Sequence, residues 1–244
     1  MGKNSKMSEI KYSYSSMKEV FEILNSCNIK YVVLRNYQNI LTDEMFMDGH
    51  GDVDILCENS NLLEKFLKIY PDQFHIKKGI FDKVHYHIYI KNIKVSIDAR
   101  YIGDNYYCKK WQNDILNSRI YYKGFFVMDP INHLYSLIYH AIFQKKYLSE
   151  EYRIRLREMA LNQGIQLEIW DSKSFVHLLE QFMIKNNYNY FYPNDFYVPL
   201  YTKHIQNKSL LKFDLRRWIE HKKFELRVES IEFLVKIKHK IFKS

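Results

Sequence analysis

The apolar residues change period partway along the chain, and no other feature limits the fold as much. Between residues 30 and 128 they gather in short β-branched and aromatic runs or alternate with polar residues; from Asp129 onward they recur every third and fourth position. A period of two belongs to strands and one near 3.6 to helices. The expectation is therefore an α+β protein: a small mixed β-sheet core with flanking helices over residues 1–128, then a helical C-terminal half over 129–244. With 7 glycines and 4 prolines among 244 residues, but 21 tyrosines and 16 phenylalanines, the elements should be little interrupted and the core rich in rings.

Local signals place the elements. Residues 1–12 read as a loose tail. Ser16 with Glu19 forms a capping box ahead of the apolar stripe Val20, Phe21, Ile23, Leu24 and Cys27, which Asn28 can close. Lys30–Leu34 and Asp52–Cys57 read as buried strands, joined by a polar loop. Asn61 with Glu64 predicts a second capped helix that stops by Pro71. Residues 74–78, 84–90 and 93–99 read as strands with turns near Gly79 and at Lys91-Asn92, and 119–128 as a hairpin around Lys123-Gly124, after an aromatic stretch containing Trp111. Asp129 followed by Pro130 starts the helical part. Helices are predicted there from Asp129, over Ser149–Gln163 closed by Gly164, over Ser172–Lys185, and from 209 to about 242, with an irregular Tyr-rich connection between Pro193 and Pro199.

Cys27, Cys57 and Cys108 lack metal-ligand spacing and are odd in number, so neither a disulfide framework nor a zinc site is indicated and a reducing cytoplasm fits. The polar N-terminus carries no leader-like apolar run, and no stretch approaches the ~18 apolar residues of a membrane span. A formal charge of +9 suits phosphate-bearing partners without selecting among nucleotide, nucleic acid and anionic lipid.

The chemistry points to three carboxylates. Asp52 and Asp54 are two apart on a strand and should share a face, while Asp98 lies on the polar face of a later strand whose Ile93, Val95 and Ile97 point the other way. Anions placed side by side repel, and a hard divalent cation that prefers oxygen ligands relieves that repulsion. On this reading Asp54→Asn costs little folding stability. Arg100 is on the same face as Asp98.

A strand ending Tyr-Val-Val-Leu-Arg-Asn-Tyr, followed by Gly-Asp-Val-Asp-Ile-Leu and a lone Asp on another strand, resembles the nucleotidyltransferase-fold superfamily over residues 17–128. Within it the chain looks like the uncharacterised nucleotidyltransferase-like proteins that accompany bacterial surface-polysaccharide genes. The resemblance implies a nucleotidyltransferase core in which Asp52, Asp54 and Asp98 are both the catalytic residues and the ligands of Mg²⁺ or Mn²⁺. It also implies a nucleotide or nucleotide-activated alcohol as donor, and a hydroxyl acceptor such as a glycan sugar. The superfamily's Gly-Ser pair is replaced here by Arg35-Asn36, so Arg35 would bind phosphate as a two-pronged ligand with Asn36 as a further donor. His50, just before Gly51-Asp52, is placed to touch substrate, and the resemblance implies that Arg100 contacts phosphate oxygens.

Three functions remain open from these residues: a metal-dependent nucleotidyl- or phospho-alcohol transferase of glycan synthesis; a toxin-type or antibiotic-modifying nucleotidyltransferase; and a non-catalytic binding module, which the missing Gly-Ser motivates. His85 and His87 share a strand face with Tyr89 and read as structural. His133 and His140, seven apart, share a helix face that ends at Lys145-Lys146. The basic segment 235–243 with Ile237, Ile241 and Phe242 is amphipathic, suited first to packing and second to peripheral contact with an anionic membrane face.

Overall fold

The computed structural model describes residues 12–42, 46, 51–71, 84–145, 147–224, 226 and 230. It divides into two compact units: residues 1–100 with 121–127, and residues 101–120 with 128–244.

The first unit is built on a seven-stranded mixed sheet in the order β3-β4-β5-β2-β1-β7-β6. The strands are β1 (Tyr31–Val33), β2 (Asp52–Cys57), β3 (Tyr70–Pro71), β4 (His85–Ile90), β5 (Ile93–Tyr101), β6 (Ile120–Tyr122) and β7 (Phe125–Val127). β1 pairs antiparallel with β2 and parallel with β7, and β4 pairs antiparallel with β3 and β5. The placing of β2 follows from its composition. Val53 to Cys57 are all buried, so both faces of the strand are covered and only an interior position in the sheet suits it. Pro71, which has no amide to donate, sits on the outermost strand, where none is required.

Both predicted two-residue turns form. Lys91 and Asn92 have φ of 49° and 67°, Lys123 and Gly124 have 48° and 105°, and paired positive φ values match the right-handed twist of the strands they join. The expected strand 74–78 and the turn at Gly79 lie outside the described residues.

Helix α1 (Met17–Ser26) packs Met17, Val20, Phe21 and Leu24 inward, and its Phe21 ring stacks on Phe125 of β7 at 4.7 Å. Ser16 caps it as predicted, but Glu19 answers to the amide and hydroxyl of Ser15. Helix α2 (Ser60–Phe66) starts earlier than the sequence suggests. Asn59 supplies the cap, accepting from the Asn61 amide, and Glu64, expected to close a capping box, accepts instead from the Tyr86 hydroxyl of β4. The chain leaves the helix at Leu67, well before Pro71.

In the second unit, α3 (Lys109–Asn117) occupies the aromatic stretch that sequence analysis left without an assigned element. Its Trp111 is fully buried, stacks on Tyr188 at 5.3 Å and donates from Nε1 to Asn132 at 2.8 Å. Asp129 caps α4 (Pro130–Tyr139), accepting from the amides of Ile131 and Asn132. The helix then widens into a π-helix at His140–Gln144, whose five residues are all buried. α5 (Glu150–Asn162) begins at the Ser149 cap and closes with Gly164 at φ 71°. α6 (Ser172–Asn186) is capped by Asp171 and ends on Asn187 in the left-handed conformation. α4 packs against both α5 and α6.

The last predicted helix starts later than expected: residues 208–210 form a 3-10 turn, 211–214 are not helical, and helix α7 begins at 215, with 215–224, 226 and 230 helical among the described residues. Asp214 accepts from the Arg217 amide and marks the true start. Segment 235–243 lies outside the described residues. Among those described, no helix is long and apolar enough to cross a membrane, and the three cysteines are free.

Candidate active site

Asp54 lies in the middle of the first unit's sheet, on a strand flanked by β1 and β5, and this position explains its surroundings. The β1–β2 ladder is extended past Val33 by the Leu34 amide, which donates to the Asp54 carbonyl at 2.9 Å. The chain therefore leaves β1 directly beside Asp54, and the next residue, Arg35, donates from Nη2 to Asp54 Oδ1 at 2.6 Å. Both side chains are withdrawn from solvent, at 13% and 4% exposed. Asn36 follows with φ 55°, a left-handed conformation that asparagine tolerates better than most residues. Arg35-Asn36 thus joins a cation to a residue able to make a left-handed turn.

Burial pushes the Asp54 carboxyl above its usual range. The Arg35 guanidinium opposes that rise, Asp98 and Asp52 reinforce it, and Arg100 opposes it again. Asp52, Asp54 and Asp98 are therefore in one electrostatic neighbourhood with two arginines among them. They differ in exposure: Asp54 is buried, Asp98 is half-buried, and Asp52, at the open beginning of β2, faces solvent.

Asp98 has two cationic or donor partners of its own. Its Oδ1 accepts from His85 Nδ1 at 2.7 Å and its Oδ2 from Arg100 Nη2 at 3.1 Å. Arg100 is 2% exposed, and its carbonyl meets the Cys57 thiol of β2 at 3.4 Å. The pairing of His85 with Asp98 is set by the turn. Lys91-Asn92 puts Ile90 opposite Ile93, and counting outward puts His85 opposite Asp98. Sequence reasoning treated His85 as structural, yet that count was available once the turn was recognised. His87, two residues on, stacks on Tyr70 at 5.6 Å and meets Tyr89 edge-on, in keeping with a structural role. His50 lies outside the described residues.

The oxygen donors suit a hard divalent cation in kind. They are not gathered as a cage: among the described residues, no three His, Cys, Asp or Glu side chains cluster closely enough to hold a metal ion, and the carboxylates of Asp54 and Asp98 are held by cationic or imidazole partners.

A separate polar cluster occupies the second unit. Gln144 Oε1 accepts from the Tyr106 hydroxyl at 2.9 Å and lies 2.8 Å from His140 Nδ1. An amide oxygen cannot donate, so His140 carries its proton on Nδ1. His133, one face along, is buried and its pKa is lowered to about 4, by desolvation first and by Arg155 second. Lys145 is exposed, Lys146 lies outside the described residues, and Ser149–Arg153 is an ordinary capped helix start.

Comparison of the sequence with protein-family models and with curated proteins finds no match.

Proposed function

We propose that the chain has a nucleotidyltransferase core and transfers a nucleotidyl or phospho-alcohol group from a nucleotide-type donor to a hydroxyl, the acceptor being a sugar of a glycan, in a cytoplasmic setting. The observation that carries this reading is the buried Asp54, held on a central strand within the field of Asp52 and Asp98 and beside Arg35 and Arg100. A buried carboxylate is costly, and a cluster that mixes such groups with arginines and shifts one of their titrations is the signature of a site built for ionic chemistry.

In this reading Arg35 orients a donor phosphate through its planar two-pronged face. Arg100 and His85 hold the Asp98 carboxylate in place, and Asp98 accepts the proton of the acceptor hydroxyl. The hydroxyl oxygen then forms a bond to phosphorus as the bond to the leaving group, pyrophosphate or a nucleoside monophosphate, breaks. A divalent cation, when bound, would be held by Asp54 and Asp98 with Asp52 and would neutralise charge on the transferring phosphate.

The test is to incubate the protein with Mg²⁺, an acceptor sugar panel and a panel of nucleoside triphosphates and CDP-alcohols, following leaving-group release by ³¹P NMR. Asp98→Asn, a substitution at a half-buried position, should fold and lose roughly 10²-fold or more in rate. No release with any donor would favour the non-catalytic alternative. That second reading has its own support in the pairing of Asp54 with Arg35, which gives the buried carboxylate a counter-ion from the chain itself.

A further inference from the structure

A groove of about 640 Å³ lies wholly within the second unit, lined by the end of α3, the first turns of α4 and the C-terminal half of α6. Its volume is that of a small-molecule site. The α6 sequence accounts for it: Leu178, Gln181, Phe182 and Lys185 recur at helical spacing, so one face of the helix mixes apolar with polar side chains, and none of the four is fully buried. Phe182 stacks on Tyr135 of α4 at 3.8 Å and 5° and meets Tyr188 edge-on, which gives the groove an aromatic wall.

The polar groups of the groove fall into two sets. At one end Asp129 Oδ2 accepts from the Ser118 hydroxyl and from Asn132 Nδ2, each at 2.6 Å, and Asn132 Oδ1 accepts from Trp111, so these groups are engaged within the fold and fix the shape of that end. The second set is uncommitted. Among the described residues, the Gln181 amide, the Lys185 ammonium and the Tyr135 hydroxyl make no hydrogen bond or ion pair, while Asn186 donates to the Phe182 carbonyl and keeps its own side-chain oxygen available. An amide both donates and accepts, and so do the neighbouring hydroxyls of a sugar. The C–H face of a sugar ring also packs well on the electron-rich face of an aromatic ring. Charge narrows the class further. The groove is lined by one cation, Lys185, and one anion, Asp129, so a nucleotide with several negative charges meets as much repulsion as attraction, whereas a single carboxylate has one ammonium to meet.

We propose that this groove binds a sugar residue carrying one carboxylate, a uronate of a glycan, with its ring on the aromatic wall, its hydroxyls on Gln181 and Asn186, and its carboxylate on Lys185. Such binding needs neither Asp54 nor Asp98, so it goes beyond the transfer chemistry proposed above. The experiment records saturation-transfer NMR and titrations of the full chain with matched glycosides, methyl glucuronide against methyl glucoside and methyl galacturonide against methyl galactoside, in wild type, Gln181→Ala and Lys185→Gln. Both substituted side chains are exposed, so the fold should survive. Wild type should bind a uronide at roughly millimolar concentration, about three- to fivefold more tightly than its neutral counterpart at low salt, the worth of one exposed ion pair. Lys185→Gln should abolish that preference, and Gln181→Ala should weaken both members of the pair about threefold. The inference is overturned if no glycoside binds, if binding is the same in all three proteins, or if AMP or a proline-rich peptide binds in their place. Uronide binding by a chain that transfers nothing would keep the inference and remove the proposed function; transfer without uronide binding would do the reverse.

Discussion

The surroundings of Asp54 and of the π-helix bury polar groups in different ways, although the second unit also buries the carboxylates of Asp104, Glu180 and Asp195. Around Asp54 the first unit buries ions and balances them with ions: Arg35 on Asp54, and Arg100 with His85 on Asp98. Around the π-helix the second unit buries neutral groups and balances them with hydrogen bonds and rings: Tyr106 and His140 on Gln144, Trp111 on Asn132, and Tyr139 near Tyr107 and Tyr190. An ionic cluster can exchange its partners for ligands that carry charge. A neutral cluster has most to lose when one of its groups becomes charged. The first arrangement suits a site and the second a scaffold.

Removing one ion from the first cluster should give the largest effect. Arg35→Met leaves Asp54 buried without its cation and should cost about 3 to 5 kcal/mol, read by urea unfolding, whereas Arg35→Met with Asp54→Leu should recover much of that loss. Asp54→Asn is expected to carry a cost as well, since it removes the charge-assisted contact between Arg35 and Asp54. The sequence-level view, that losing a repulsive charge would be nearly free, did not include Arg35 as the partner. Equal stabilities for the single and double variants would end the ionic account of this cluster.

Acidification should separate the two regions next. His133 has a folded pKa of about 4 against an ordinary value of 6.5, so the unfolded chain takes up its proton first. Stability is therefore lost as pH falls from about 6.5 towards about 4, by up to about 3 kcal/mol. Asp54 has the opposite sign. Its folded pKa is raised above 3.8, so ionisation favours the unfolded chain, and stability from this group returns as pH falls through the folded value towards 3.8. A His133→Gln variant should flatten the loss between pH 6.5 and 4; an unchanged profile would show that the histidine is not responsible.

A smaller effect is expected within the neutral cluster. Gln144→Met keeps the volume but leaves the Tyr106 hydroxyl and His140 Nδ1–H without their shared acceptor, a cost of about 1 to 3 kcal/mol in denaturant unfolding. A cost near zero would mean that the network is dispensable and the contrast with the first unit is weaker than drawn. Least of all should be His85→Gln, because the His85–Asp98 contact is partly open to water; its loss should change stability by less than about 1 kcal/mol. In the proposed enzyme the same substitution should lower turnover through Asp98 placement, and rescue by His85→Asn would separate a hydrogen-bonding role from a titrating one.

What could be read from the chain by itself was what is local. Paired turn residues at Lys91-Asn92 and Lys123-Gly124, the caps at Ser16, Asp129 and Ser149, and the alternation from Ile93 to Asp98 are decided by backbone conformations and hydrogen bonds within a few residues, so composition reveals them. Even the meeting of His85 with Asp98 was implicit in one of those turns. Helix α3 was missed although Trp111, Ile115 and Leu116 fall at helical spacing among polar residues, because Cys108 at its start offers no side-chain cap to announce it, and burial within the second unit fixes its state. The same limit applied at the site. Period two places Asp52 and Asp54 on one face, but only the assembled sheet makes one exposed and the other buried, by covering β2 on both sides after its first residue. And the choice of Arg35 for Asp54 arises because β1 and β2 lie side by side: nineteen residues of sequence separate the two, and the desolvation that makes their pairing matter exists only once the sheet has closed around them.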